Sequence, residues 1–282
     1  MNTIASKLMK APPAVKPSQM LWKKLWGELA VFAGWFVVAF MIFGGWEWAV
    51  RDGRMDPVYV GQPSKIFTHF LEMLVTPVIT VDAVATFSGA LLGWALASVA
   101  GIVVTLLLTR SRYLTRVVDP FFTALNSLPR VALAPLILLW FGIGLSSKVA
   151  LSFSLAFFVV ASNTRAGVES AEADRLLLAR VLGATNLQTF LKFILPGAVP
   201  NIITGLQLGF IFGMLATVAG EMIAGQSGLG VRLQYFASAF RMNEYFATLV
   251  ILVIGTTAFS GLLAVLRRYL LRWQQTELGR SH

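Results

Sequence analysis

Long apolar runs separated by short clusters of charge organise this chain. Uncharged stretches cover Leu29–Trp46, Ala83–Thr109, Val131–Ser147, Val149–Thr164, Phe193–Gly220 and Tyr245–Leu266. A helix needs roughly 17–25 mostly apolar residues to cross the hydrocarbon of a bilayer. The pattern therefore predicts six spans at about 28–50, 82–109, 119–142, 148–164, 196–221 and 245–267. The third reaches full length only if it begins near Pro120 and carries Arg130 inside it, and the fourth is the shortest. The expected fold class is all-α: a polytopic membrane protein with six transmembrane helices. Residues 1–27 and 273–282 are expected as tails, 28–272 as a single transmembrane domain, and 165–196 as a polar segment within it.

A finer pattern lies within the runs. Gly89, Gly93, Ala97 and Gly101 recur every fourth position in the second span, as do Gly205, Gly209 and Gly213 in the fifth. Such rows let helix backbones approach closely, which matters in lipid because apolar contact alone does not favour another helix over a lipid tail. Both rows are expected at helix–helix contacts in the bundle or at a subunit interface. Between the first two spans, Val60-Gly61-Gln62-Pro63-Ser64 reads as a turn. Ser64 is placed to cap a short amphipathic helix with Ile66, Phe67, Phe70, Leu71 and Leu74 on its apolar side.

Polar residues inside spans are the candidates for chemistry. The third span holds Asn126, Ser127, Pro129, Arg130 and Pro135. Each proline removes a backbone donor, and an arginine near a helix centre costs about 2.5–3.5 kcal/mol on insertion scales. Arg130 therefore belongs beside a wet cavity or snorkelled near a membrane surface. Gln207 is isolated in the fifth span, and Glu221 ends its apolar run just before Gly225-Gln226-Ser227-Gly228-Leu229-Gly230. Asn126, Ser127, Pro129, Arg130, Gln207 and Glu221 are thus candidate lining or gating residues of a polar path. For Glu221 an ordinary interfacial position is the competing reading.

Charge fixes the expected orientation. Of 23 basic residues, sixteen fall on one side of the predicted spans: Lys7, Lys10, Lys16, Lys23, Lys24, Arg110, Arg112, Arg116, Arg165, Arg175, Arg180, Lys192, Arg267, Arg268, Arg272 and Arg280. Only Arg51, Arg54, Lys65, Lys148, Arg232 and Arg241 fall on the other. Lys and Arg collect on the cytoplasmic side, so both termini are expected in the cytoplasm of a bacterial-type inner membrane. The net charge of +10 is then a topology signal and not a nucleic-acid footprint. At 57% hydrophobic and 13% charged residues, a water-soluble globule is excluded. With no cysteine there is no disulfide or thiolate chemistry. The first twenty residues lack the apolar core of a cleaved signal peptide.

The polar interruption Arg165–Lys192 carries more charge than a simple connector needs. Leu176 to Val181 is compatible with a helix, Gly183 can stop it, and Thr185-Asn186-Leu187-Gln188 has the form of a capping box that starts another. Leu195-Pro196 and Pro200 follow at the start of the fifth span. These features predict a compact knuckle presented to the cytosol.

Here the chain resembles the permease subunits of type I ABC importers, in particular the nitrate/sulfonate/taurine branch. The family signature is Glu-Ala-Ala, three residues, Gly, nine residues, Ile, one residue, Leu-Pro. Aligned on Gly183, this chain reads Leu177-Leu178-Ala179, Arg180-Val181-Leu182-Gly183-Ala184, Phe193 and Leu195-Pro196, with Leu177 in place of the leading Glu. Leu128-Pro129-Arg130-Val131-Ala132-Leu133-Ala134-Pro135-Leu136 and Glu221-Met222-Ile223 with Ser227-Gly228-Leu229-Gly230 are similar to further motifs of that branch.

The resemblance implies a MetI-like fold and a transport subunit with no catalysis of its own. It implies a second permease copy in a homodimer, a cytoplasmic ABC ATPase and a periplasmic or extracellular solute-binding protein. Leu177, Leu178, Ala179, Arg180, Gly183, Ala184, Leu195 and Pro196 would contact the ATPase. The solute would be a small organic or inorganic anion. No Gly-x4-Gly-Lys-Ser/Thr occurs, so ATP is expected on the partner, with no cofactor or metal in this chain. An ion-coupled secondary transporter or channel is the alternative, and it would be expected to show paired repeats or buried carboxylates. A membrane enzyme lacks its parts: the only histidines are His69 and His282, and neither Ser127 nor Ser227 has an evident base.

Overall fold

The computed structural model describes residues 17–170, 177, 179 and 181–271. All regular structure among them is helical, as expected where lipid offers no partner to an unsatisfied peptide group. The chain divides into two compact units, Met1–Ser64 and Lys65–His282.

In the first unit, α1 (Pro17–Arg51) starts within the stretch predicted as a tail, with its first proline where a missing N–H costs little. Its apolar side chains from Leu29 to Phe43 are exposed, as suits a lipid-facing rod. After it, Asp56 caps α2 (Pro57–Val60) by accepting the Val58 N–H at 2.9 Å. Ser64 is not the cap of the next helix, because α3 begins at Pro63 and runs to Leu74. The acceptor is Glu47 on α1. Its carboxylate takes the Ser64 N–H at 3.0 Å, the Ser64 hydroxyl at 2.9 Å and the Gln62 amide at 2.7 Å. A carboxylate both satisfies an orphan donor and complements the positive end of a helix, so it outcompetes a local hydroxyl.

The second unit continues α3, which buries Ile66 and Met73 while Phe67, Leu71 and Leu74 remain exposed. The predicted apolar side is thus split between protein and surroundings. Four long helices follow: α4 (Pro77–Thr109), α7 (Leu145–Glu169), α9 (Leu195–Ala224) and α11 (Met242–Leu270). Each is long and apolar enough to cross a bilayer.

The predicted third span is broken. It comprises α5 (Arg112–Asn126), a 3-10 turn (Arg130–Leu133) and α6 (Ala134–Phe141), with its halves bent by 76°. Pro129 and Pro135 withhold the donors a continuous helix would need there. Pro196 has a related effect. The short α8 (Asn186–Thr189) runs into a π-helical segment, Phe190–Ile194, before α9, and the Leu195 N–H bonds back to the Phe190 carbonyl. Since Pro196 cannot donate to the carbonyl four residues back, the widened turn absorbs the mismatch.

The predicted fourth span, the shortest, is the centre of the bundle. α4 and α9 both press their small-residue rows against α7. A Cβ at Gly89 would lie 2.6 Å from the Lys148 Cβ, and one at Gly213 would lie 2.6 Å from the Ser152 hydroxyl. Ala97 is fully buried in the same row, and Gly101, Gly205 and Gly209 likewise leave no room for a side chain against α7. Hydrogen bonds cross where the backbones meet: Ser152 donates to the Ala90 carbonyl at 2.8 Å and Thr105 to the Ala161 carbonyl at 3.3 Å. Trp94 joins α4 to α9 through the Leu206 carbonyl at 2.9 Å and stacks edge-on against Phe210 and, on α11, Phe259.

Candidate functional site

Three places in the second unit carry polar chemistry. The most buried lies where the starts of α4 and α7 meet the end of α9. Glu221 accepts the Lys148 ammonium at 2.6 Å, the Thr86 hydroxyl at 2.9 and 3.0 Å, and the Gly230 N–H at 2.9 Å. Lys148 also donates to the Ser227 carbonyl at 2.8 Å. Asp82 accepts the Gly228 N–H at 2.8 Å and the Arg232 guanidinium at 2.6 Å, while the Thr86 oxygen accepts the Leu229 N–H at 2.8 Å.

Glu221, Lys148, Asp82 and Thr86 are all buried, and Arg232 is half-exposed. The two carboxylates balance the two cations, and the amides opening α10 (Leu229–Ser238) add the positive end of a helix. Gly228 has φ +117°, in the left-handed region, and Gly230 lies so close that a Cβ would sit 2.7 Å from the Glu221 Cβ. Glycine is needed at both for the turn to fold over the carboxylate. A cavity of 80 Å³ lies beside the cluster, between Gly144 and Ser147 on one side and Gly225, Gln226 and Ser227 on the other.

The second place is the helix break. Arg130 donates to the Leu125 carbonyl and the Asn126 side-chain oxygen, both at 3.0 Å, and lies 4.0 Å over the Phe158 ring of α7. It therefore draws its partners from the carbonyls that the break sets free and from an aromatic face. Asn126, Ser127 and Pro129 are exposed around it.

The third is the knuckle. Among its described residues Leu177, Ala179 and Val181 are helical. Gly183 takes φ +67°, and the Ala184 N–H bonds to the Ala179 carbonyl at 2.9 Å. The Thr185 N–H then donates to the Gln188 side chain at 3.0 Å, and the Gln188 N–H to the Thr185 hydroxyl at 3.3 Å. This is the reciprocal pair of a capping box. Ala179 is fully buried beneath the bend, whereas Leu177, Val181, Leu182, Leu187 and Leu191 are exposed. Leu195 and Pro196 are half-buried at the start of α9, and Leu178 and Arg180 lie outside the described residues. Arg165, at the same end of α7, pairs with Glu169 at 2.7 Å and through both terminal nitrogens with Asp119 of α5.

The sequence of residues 97–275 matches the family described as "binding-protein-dependent transport system inner membrane component". The chain belongs to this family. It is 34% identical over 235 residues to the taurine transport system permease protein TauC of Escherichia coli, covering 78% of this chain and 83% of that one. It is 31% identical over 194 residues to the formylaminopyrimidine transport permease protein ThiX of Halalkalibacterium halodurans, covering 68% of this chain and 77% of that one. Among solved structures it resembles an amino acid ABC transporter crystallised with histidines, with a TM-score of 0.60 at 23% identity over 71% of this chain and 98% of that one. It is thus an ABC importer permease, a multi-pass transport component and not an enzyme.

The predicted polar residues of the permease do not form one site. Asn126 and Arg130 meet at the break. Gln207 is half-buried on α9, and Glu221 lies fourteen residues further along that helix, on the order of 21 Å away. Sequence reasoning missed Asp82, Thr86 and Arg232, and it counted Lys148, the first residue of its fourth span, among the outer-side charges without seeing its partner. The available signal was Glu221 itself: an acid closing an apolar run before a glycine turn requires a cation, and Lys148 is the one that interrupts the adjacent runs.

Proposed function

We propose that the knuckle is the coupling element of an ATP-driven importer and that it docks on a separate cytoplasmic ABC ATPase. One observation carries this reading. The bend at Gly183 and the capping box at Thr185 hold Leu177, Val181 and Leu182 exposed on a segment outside the apolar runs long enough to cross the bilayer. An apolar surface that lipid does not cover calls for a protein partner. Leu177, Leu178, Ala179, Arg180, Gly183 and Ala184 would meet that partner, with Leu195 and Pro196 passing its motion into α9. Nucleotide would be bound by the ATPase. Two permease copies, forming a homodimer in the lipid bilayer, would alternate between inward- and outward-facing states as rigid bodies, and an external binding protein would deliver solute.

The break at Asn126, Ser127, Pro129 and Arg130, together with Gln207, would line the path, with Glu221 at its outer end. An exposed helix break with an arginine at its edge favours a small anion, and TauC is a relative whose name carries taurine. The test uses the natural absence of cysteine. Val181→Cys in the reconstituted permease–ATPase complex should cross-link to the ATPase, and Gly183→Pro should abolish uptake while ATP hydrolysis continues. Unaltered uptake in Gly183→Pro, or no cross-link from either Val181→Cys or Leu182→Cys, would reject the assignment.

A further inference from the structure

The buried cluster captures the backbone of the Gly225–Gly230 turn group by group. Lys148 of α7 holds the Ser227 carbonyl, Asp82 of α4 the Gly228 N–H, Thr86 of α4 the Leu229 N–H, and Glu221 of α9 the Gly230 N–H. A loop whose only task is to join two spans needs no such clamp, and a loop free to swing would not tolerate one. We propose that Asp82, Thr86, Lys148 and Arg232 are positioning residues that, with Glu221, latch this turn and α10 to α4, α7 and α9, so that the closure of the outer mouth moves with α7 as one body during transport.

Three further observations support the latch. Glycine is required at 228 and 230 because the turn lies directly on the Glu221 carboxylate, which leaves it no slack. The neighbouring cavity holds only 80 Å³, room for a few water molecules and not for a swinging segment. The helix that carries Lys148 is 25 residues long, about 38 Å of unbroken rod. Its far end bears Arg165, bonded to Asp119 and Glu169. Motion imposed on α7 at its Arg165 end therefore arrives at the Gly225–Gly230 turn without an intervening hinge. Arg232 is the half-exposed end of the chain of contacts.

The inference rests on the transport reading, but its primary test does not need transport. Ser146→Cys and Ser238→Cys, both exposed, receive spin labels in the permease assembled with its ATPase, and the distance within one chain is measured without nucleotide and with bound ATP. The expected result is a narrow distribution at the same distance in both states. Lys148→Met and Arg232→Gln should each broaden it at least twofold and raise the ATP hydrolysed per solute imported about fivefold or more, while Lys148→Arg stays within twofold of the parent. If Lys148→Met fails to assemble, Arg232→Gln carries the test, since its side chain lies at the edge of the cluster. A distance that shifts between the two states in the parent overturns the latch. So does a sharp distribution in Arg232→Gln, or a variant that only melts earlier with its ATP-to-solute ratio unchanged. Absence of any import by the parent complex would reject the transport reading and leave the distance result to judge the latch alone.

Discussion

Lys148 shows how far one side chain's surroundings can depart from its position in a linear pattern. It separates two apolar runs, which at the sequence level marks the charged end of a span, yet in the first turn of α7 it is buried against Glu221. Burying an ammonium is tolerable only when a carboxylate and further acceptors replace its water, and Glu221 and the Ser227 carbonyl do so. Lys148→Met should therefore destabilise the permease by about 3–5 kcal/mol, the usual penalty for leaving one charge of a buried pair alone. The double variant Lys148→Met with Glu221→Leu should recover part of that loss. It should not recover all of it, because Thr86 and the Gly230 N–H lose their acceptor as well. Thermal unfolding of the two variants in detergent checks the order, and a double variant less stable than the single one would contradict it. Glu221 was legible in the sequence as a suspicious acid. Its partners on α4 and α7 were not, because their separations of 135 and 73 positions carry no local pattern.

At the scale of elements, periodicity was readable where it came from close packing and misleading where proline intervened. The rows of small residues on α4 and α9 are legible in the sequence, but a row cannot name its partner, and in the structure both press on α7. Gly213→Val should overlap Ser152 and cost about 1–3 kcal/mol, read as a lowered melting temperature, whereas substituting exposed Leu215 with Ala should change it little. The capping box was visible as Thr185-x-x-Gln188 because its two bonds are local. Thr185→Ala removes one of them and should weaken the knuckle by about 0.5–2 kcal/mol. If the knuckle couples to an ATPase, that change should lower uptake per ATP hydrolysed without altering the amount of permease in the membrane. Equal uptake per ATP in Thr185→Ala and its parent would separate the cap from coupling. The third span failed as a single rod for a reason present in the letters: Pro129 and Pro135 deny it a continuous ladder. What the letters did not contain was the direction of the bend, which packing against α7 decides.

For the whole molecule, the distribution of basic residues is the strongest statement about orientation, and the structure sharpens it. Of the six cations assigned to the outer side, Lys148 is buried in a pair, which leaves five against sixteen on the other side. With Lys148 left out as the buried partner of Glu221, the asymmetry is larger than the linear count suggested, and it predicts a cytoplasmic knuckle. Single cysteines in the otherwise cysteine-free chain read this directly. Lys65→Cys and Ser238→Cys, at exposed positions on the turn side, should react with a membrane-impermeant maleimide added to intact cells. Thr185→Cys, exposed on the knuckle, should react only after the membrane is opened. The reverse pattern would place the apolar knuckle residues outside, where no nucleotide-driven partner can reach them, and the coupling assignment would fail with the orientation. The predicted pattern would tie two independent features of one chain together: the charges expected to set its direction during insertion and the bent element proposed to meet the ATPase.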